Sequence, residues 1–368
     1  MEKRKIVLVG RDQAPSEAFQ RLAEELAEDD SIHVISFLGF GKPIQGIDED
    51  FEQIFCAAIE SASIVVIGMS SSLELAEPEI AAAQYAAGAG IPFGFYCDTF
   101  GCHNRSWFSQ FRSDEYADFL FVINEKEAGR AREVFPLSEV VVSGNPRWED
   151  FVFPKFTRQE VRAKLGVAEK EKMILVPGGK IPAINIILWE AVMSAVHLSS
   201  VPGVKIFLSR HPGDYPKDEM EAKWLEKVYG DLVKFRGRVD VNFLDRGTKT
   251  SDVLPGTDLL VESASTLGIE AAFQRIPVID YFSRLALNRM KETSGTIDWE
   301  LCAQEAAMRI DEGGEDSLLD VIEFLLSHND PVGYLVEAQE ENYPVPAEKG
   351  TAVRIMADTI RIRGYIEK

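Results

Sequence analysis

With 368 residues the chain is too long for one ordinary hydrophobic core, so two domains of similar size are the natural division. Sixty acidic residues against 39 basic ones give a formal net charge of -21, which argues against a broad nucleic-acid or anionic-membrane surface but leaves room for a local basic pocket. Cys56, Cys97, Cys102 and Cys302 lack paired metal-ligand spacing and are expected as reduced thiols of a cytoplasmic protein. The apolar run 6–9 after the charged start is too short for a signal peptide, and no later run is long enough to span a bilayer; integral membrane contact and nucleic-acid partners are not expected.

In chain order, residues 5–10 read as a strand, 16–28 as an amphipathic helix with Phe19, Leu22, Ala23 and Leu26 on one side, and 32–37 as a strand. A helix at 51–59, a strand at 64–68, a helix at 78–87, strands at 91–96 and 119–123, a helix at 125–134 and a strand at 139–143 follow. Continuous apolar strands alternating with helices predict an α/β fold with a doubly wound parallel sheet over residues 1–155. Thr157 with Glu160 forms a capping-box pattern, and 156–171 reads as the connecting segment. The rhythm restarts at 172–349, with strands at 173–177, 204–209, 239–244, 258–262 and 276–280 and helices within 184–196, 217–229, 250–254 and 267–274. Residues 352–362, set apart by Pro344 and Pro346, read as a terminal helix crossing back to the first domain, with 350–368 packing on it. Neither domain carries a G-x-G-x-x-G fingerprint.

The stretch 256–281 is the most informative. A buried-strand run ends at Glu262, and SASTLGIE (263–270) opens a helix whose free N–H groups and positive dipole end form a site for an anion. Ser263, Ser265 and Thr266 supply hydroxyls, and Glu270, one turn after Thr266 on the same face, is placed to accept from vicinal ribose hydroxyls. Phosphate at the turn and ribose at the glutamate describe a nucleoside diphosphate. The competing reading is a capped helix with a solvated surface acid.

Two Rossmann-like halves resemble the GT-B fold of nucleotide-sugar enzymes, whose domains face each other across a cleft. The resemblance rests on SGNPR (143–147), SRHPG (209–213) and SASTLGIE (263–270), in order over roughly residues 85–285. They are similar to segments of the superfamily that includes UDP-N-acetylglucosamine 2-epimerase, many glycosyltransferases and CDP-glycerol glycerophosphotransferase-like enzymes. The resemblance implies that Gly144, Asn145 and Arg147 lie where the chain turns to the second domain, that His211 and Gly213 meet phosphate, and that Arg11 contributes to the same anion. Gly179 and Lys180 of PGGK (177–180) offer amides and one ammonium but lack Walker spacing.

Catalysis is expected from the first domain, at FYCDTFGCHNR (95–105). Asp98 or His103 is the candidate general base on an acceptor hydroxyl, Arg105 the stabiliser of negative charge and Glu125 a second candidate carboxylate; a capping Asp98 and an Arg105 paired to Asp114 are the competing readings. The chain departs from the epimerase pattern at 177–180, where that family has a histidine-arginine pair, and at 95–98, which replaces a valine-glutamate-alanine-glycine segment. Asp48-Glu-Asp50 reads as a helix-start signal, and neither metal nor cofactor is expected beyond the activated substrate. The expected function is transfer of a sugar or polyol from a nucleoside-diphosphate donor, UDP among them, to a soluble hydroxyl acceptor. An epimerase or hydrolase on the same donor, and a non-catalytic nucleotide-sugar-binding module, stay as alternatives, and a homodimer stays open.

Overall fold

The structure is a computed structural model that describes residues 3–39, 49–70, 72–105, 107, 117–211, 219–220, 223, 227, 239–245, 247–294, 297–314, 317–327 and 333–363. It divides into two compact units, Met1–Asp150 with Pro346–Lys368, and Phe151–Val345. Among the described residues each unit holds one six-stranded, wholly parallel sheet. No helix among them is long and apolar enough to cross a membrane.

In the first unit, β1 (Arg4–Gly10), β2 (Ile32–Leu38), β3 (Ile64–Gly68), β4 (Phe93–Tyr96), β5 (Phe119–Val122) and β6 (Glu139–Val142) lie in the order β2-β1-β3-β4-β5-β6. The strands are apolar on both faces because both are covered. On one face Ile59, Ala82, Ala86 and Ala131 of the helices Glu49–Glu60, Leu73–Ala89 and Glu125–Val134 close on Val7, Val65, Phe95 and Leu120. On the other, Phe19 and Leu22 of Gln13–Ala27 meet Met356, Ala357 and Ile360 of the terminal helix Thr351–Arg363. The terminal helix therefore belongs to the first unit's core, as its amphipathic pattern implies. Its first turn is fixed by the buried Glu149 carboxylate, which accepts from Gly350 N and Ala352 N at 2.7 Å each, an acid at the positive end of a helix.

The second unit carries β7 (Lys172–Pro177), β8 (Val204–Ser209), β9 (Asp240–Phe243), β10 (Leu259–Glu262), β11 (Val278–Phe282) and β12 (Met308–Asp311), in the order β12-β11-β10-β7-β8-β9. Trp189, Val192 and Val196 of Pro182–Leu198 and Ile322 and Leu325 of Leu318–Ser327 cover one face. Residues 156–171 fold with this unit: buried Arg162 donates to Gly256 O (3.1 Å), Ala168 O (2.7 Å) and Glu171 O (2.5 Å), and pairs with Asp258 at 3.0 Å. One guanidinium thereby ties the helix Arg158–Leu165 to the start of β10.

Several elements differ from the sequence expectation. The helix expected at 78–87 runs over Leu73–Ala89, capped by Ser72, with Pro78 inside it. The helix after β10 starts at Thr266, because Ala264 takes a left-handed φ of 51° and Ser265 becomes the N-cap. The short helix expected at 250–254 is two 3₁₀ turns, Thr250–Asp252 and Leu254–Gly256. Strand β12 has no counterpart in the expectation, and most of the helix expected at 217–229, like Gly213, Asp48 and Asp114, lies outside the described residues.

Candidate functional site

In an open parallel sheet, ligands bind beyond the carboxyl ends of the strands where the strand order reverses. In the second unit that reversal falls between β7 and β10, so the segments that leave them, 178–180 and 263–266, start from neighbouring strand ends at the switch point. Ser265 Oγ accepts from Leu267 N at 3.2 Å and caps Thr266–Phe273. Thr266 is exposed in the first helical position, Glu270 is half-buried one turn on, and Ser263 Oγ is buried without a hydrogen-bond partner among the described residues. The helix ends under the guanidinium of Arg275, which donates to Ala272 O, Gln339 O and Tyr343 O. Hydroxyls and a helix N-terminus thus meet at the switch point, an arrangement that can receive an anion.

The glycines after β7 play a different part from the one expected. Gly178 N donates to Ser209 O (2.7 Å) and Gly179 N to Asn185 Oδ1 (2.7 Å), while Asn185 Nδ2 returns a bond to Gly179 O (2.9 Å). Both amides are spent on a buried asparagine and a strand end. Lys180 is exposed beside them. After β8, Ser209 Oγ accepts from Thr250 Oγ1 (3.0 Å), Arg210 lies over the Phe243 ring (5.6 Å), and His211 is half-buried.

Beneath the 263–266 turn stand two acids that the sequence reading did not select, Glu262 and Asp280, both fully buried. Glu262 Oε2 accepts from Ser265 N and Asp280 Oδ2 from the Cys302 thiol at 3.0 Å. Burial and the neighbouring Asp280 charge push Glu262 well above the usual carboxylate range; burial lifts Asp280 to about 6.

In the first unit the carboxyl ends of β1, β3 and β4 gather Asp98, Arg105, Cys102, Ser70 and Glu79. Asp98 Oδ1 lies 3.5 Å from Arg105 Nη2 and 3.3 Å from Cys102 Sγ. Burial raises the Asp98 carboxyl and Arg105 opposes the rise, while burial first, then the Asp98 charge, pushes the Cys102 thiol up, leaving it a neutral donor. Arg105 Nη1 is buried without a hydrogen-bond partner among the described residues. Of the residues proposed for chemistry, Asp98 and Arg105 are therefore brought together.

Glu79 was not selected by the sequence reading. It is fully buried and accepts from Ser70 N (2.7 Å), Ser70 Oγ (2.8 Å) and Arg11 N (3.2 Å), and burial lifts it to about 7.

The other expected residues take supporting places. His103 is 3% exposed, its Nδ1 3.4 Å from Glu127 Oε2, and burial lowers its pKa, so it stays neutral inside the loop and is not presented to an acceptor. Glu125 is 80% exposed, in the first position after the N-cap Asn124; the buried acid is Glu127, which also accepts from Gly101 N (2.7 Å) and Arg130 Nη1 (2.6 Å). The signal was present, since Asn124 and Glu127 have N-cap and third-position spacing. Asn145 Nδ2 donates to Asp98 O at 2.6 Å and its Oδ1 accepts from Arg147 N at 2.8 Å, locking the end of β6 to the Asp98 loop, with Gly144 at φ 80° making the turn. Arg147 Nε pairs with Glu17 at 2.5 Å within this unit. Arg11 Nη1 donates at 3.2 Å to Glu74 O, the carbonyl that Pro78, lacking an N–H, leaves without its helical donor.

No protein-family model matches the chain, and no curated protein does. Among solved structures, UDP-GlcNAc 2-epimerase from Neisseria meningitidis bound to UDP-GlcNAc is similar at 12% identity and TM-score 0.62 over 97% of this chain and 100% of that one. UDP-GlcNAc 2-epimerase from Methanocaldococcus jannaschii is similar at 13% and 0.58 over 98% and 99%. MurG from Acinetobacter baumannii is similar at 15% and 0.56 over 98% and 99%. Likeness at this identity carries the fold: two Rossmann-like α/β units, the GT-B architecture.

Proposed function

We propose that the chain is a nucleotide-sugar enzyme whose second unit binds a nucleoside diphosphate at 263–270, and that it transfers the attached sugar or polyol to a hydroxyl acceptor. The observation that carries the reading is the placement of the Ser265-capped helix at the switch point of the second sheet, with exposed Thr266 and half-buried Glu270 on it. Diphosphate oxygens would take the Thr266 amide and hydroxyl, and Glu270 would accept from the ribose. Asp98, with a raised pKa and Arg105 beside it, is the group in the first unit suited to proton transfer. Similarity to UDP-bound and UDP-GlcNAc-bound proteins supports UDP as the first nucleotide to try.

A second reading is epimerisation of the same donor. It is favoured by the number of UDP-GlcNAc 2-epimerases among the similar structures and disfavoured by the residues at 95–98 and 177–180. Thermal unfolding against UDP, CDP, GDP and TDP and their sugar conjugates tests both. A ligand at about 100 times its Kd adds roughly 2.7 kcal/mol and raises the midpoint by on the order of a few degrees. A base-selective shift lost in Glu270→Ala is expected; no shift with any nucleotide would overturn the reading. With the donor known, nucleoside diphosphate released only with an acceptor supports transfer, and a changed sugar without an acceptor supports epimerisation.

A further inference from the structure

Glu262 and Asp280 are register partners on the adjacent parallel strands β10 and β11, so their side chains leave the same face of the sheet at its carboxyl end. Both are fully buried, and two carboxylates so placed cannot both be ionised without a large loss of hydration and strong repulsion. Their hydrogen bonds have the same shape. Glu262 Oε2 accepts from Ser265 N, and Asp280 accepts from the Cys302 thiol at 3.0 Å and from the Ala264 backbone N–H. Glu262 Oε1 and Asp280 Oδ1 remain buried without a hydrogen-bond partner at ordinary distance among the described residues, with the Trp299 indole N–H, likewise unpartnered, as the neighbouring donor on the Glu262 side. The register sets the two carboxyl groups side by side, and a hydrogen bond between two carboxyl groups requires a proton on one of them.

The turn above needs such a hold. Ala264 sits at φ 51°, a region that costs a residue with a Cβ about 1–2 kcal/mol, and it lies between the two amides that the acids grip. The helix that follows is pressed onto Glu262 through Gly268: a Cβ there would come within 2.5 Å of Glu262 Oε1 and 2.4 Å of Leu301 Cδ1. From the surrounding elements Cys302 faces the pair with its thiol kept neutral by burial, Arg309 of β12 is a cation that draws Asp280 down, and Tyr343, which feels both Asp280 and Glu300, is a further titratable neighbour among the described residues.

We propose that Glu262 and Asp280 are positioning residues that share one proton and, through the amides of Ser265 and Ala264, fix the 263–266 turn in its anion-receiving shape. The shared proton and the grip on the turn stand on the geometry of this unit; the link to a nucleotide rests on the function proposed above.

Infrared spectroscopy of the full chain with 13C-labelled Asp and Glu, at pH 8 where Glu79 is largely ionised, tests the proton. A protonated-carboxyl component present in the wild type and absent from Glu262→Gln is expected, since the glutamine amide can accept from Ser265 N and donate to an ionised Asp280. Identical spectra would overturn the proposal. Amide exchange of residues 263–268 without ligand tests the grip: it should match the wild type in Glu262→Gln and rise at least about tenfold in Glu262→Ala. Should Glu262→Ala not fold, Glu262→Asp, one methylene shorter, serves instead, and exchange unchanged from the wild type would contradict the grip. UDP affinity should stay within about threefold in Glu262→Gln and fall at least about tenfold in the variant that loosens the turn. If the wild type binds no UDP, the nucleotide reading fails while the infrared and exchange results still decide the proposal.

Discussion

The carboxyl ends of the two sheets are built on one plan with different materials. In the first unit a helix residue, Glu79, reaches under the loops that leave β1 and β3 and satisfies Ser70 and Arg11, while Asp98 meets Arg105 and Glu127 meets His103, Arg130 and Gly101. In the second unit the acids sit on the strands themselves, as Glu262 and Asp280, and hold the turn from below. The first plan spends most polar groups on one another. The second leaves the Thr266 hydroxyl and the start of a helix directed outward, which is why the anion site is assigned there.

Removing the first unit's anchor should have the largest effect on stability. Glu79→Ala strands the Ser70 N–H and Oγ and the Arg11 N–H, and a loss of about 2–4 kcal/mol is expected by urea unfolding. A loss under about 0.5 kcal/mol would show that the loops carry themselves.

Next in size is the pH dependence. Glu79, Glu262 and Asp280 all have folded-state pKa values raised above their unfolded ones, so their contribution is full below about pH 4 and is lost as pH rises through about 6 for Asp280, about 7 for Glu79 and higher for Glu262. Surface carboxyls that accept hydrogen bonds, half-buried Asp29 from Ser31, exposed Glu160 from Thr157 and half-buried Glu171 from Ala168, have lowered values and lose their contribution as the solution becomes more acid. From these groups, stability measured by denaturant titration should be higher at pH 5 than at pH 8. Glu79→Ala should flatten the part between about pH 5 and 7.

Gly144→Ala should cost about 1–2 kcal/mol, because φ 80° penalises a Cβ while a built one meets only Ala352 at 3.6 Å. The smallest effect belongs to Glu125→Gln, an exposed acid, with less than about 0.5 kcal/mol expected; Glu127→Gln, at the buried position two residues on, should exceed it clearly.

The strands were legible because continuous apolar runs such as 64–68 and 259–262 leave few other structures open, and the terminal helix because its apolar face needed a partner. Strand β12 was not, since MRID offers four alternating residues and no apolar run. Asp98 with Arg105, and Ser265 with Thr266, were legible from their places just beyond strands. Glu79 was hidden because an acid after a proline in a helix reads as solvated, and its burial depends on loops remote in sequence. Glu262 and Asp280 end apolar runs, but only the pairing of β10 with β11 makes them neighbours. The left-handed Ala264 could not be read at all, because alanine carries no preference for that conformation and the acids beneath impose it.

Hydrogen exchange with and without saturating UDP tests the central assignment most directly, because it reports on both carboxyl ends at once. Slowed exchange over residues 263–270 is expected, with the segments holding Ser70 and Asp98 changed less. Slowing confined to the first unit's segments, or none in either, would contradict the placement of the nucleotide on the second unit.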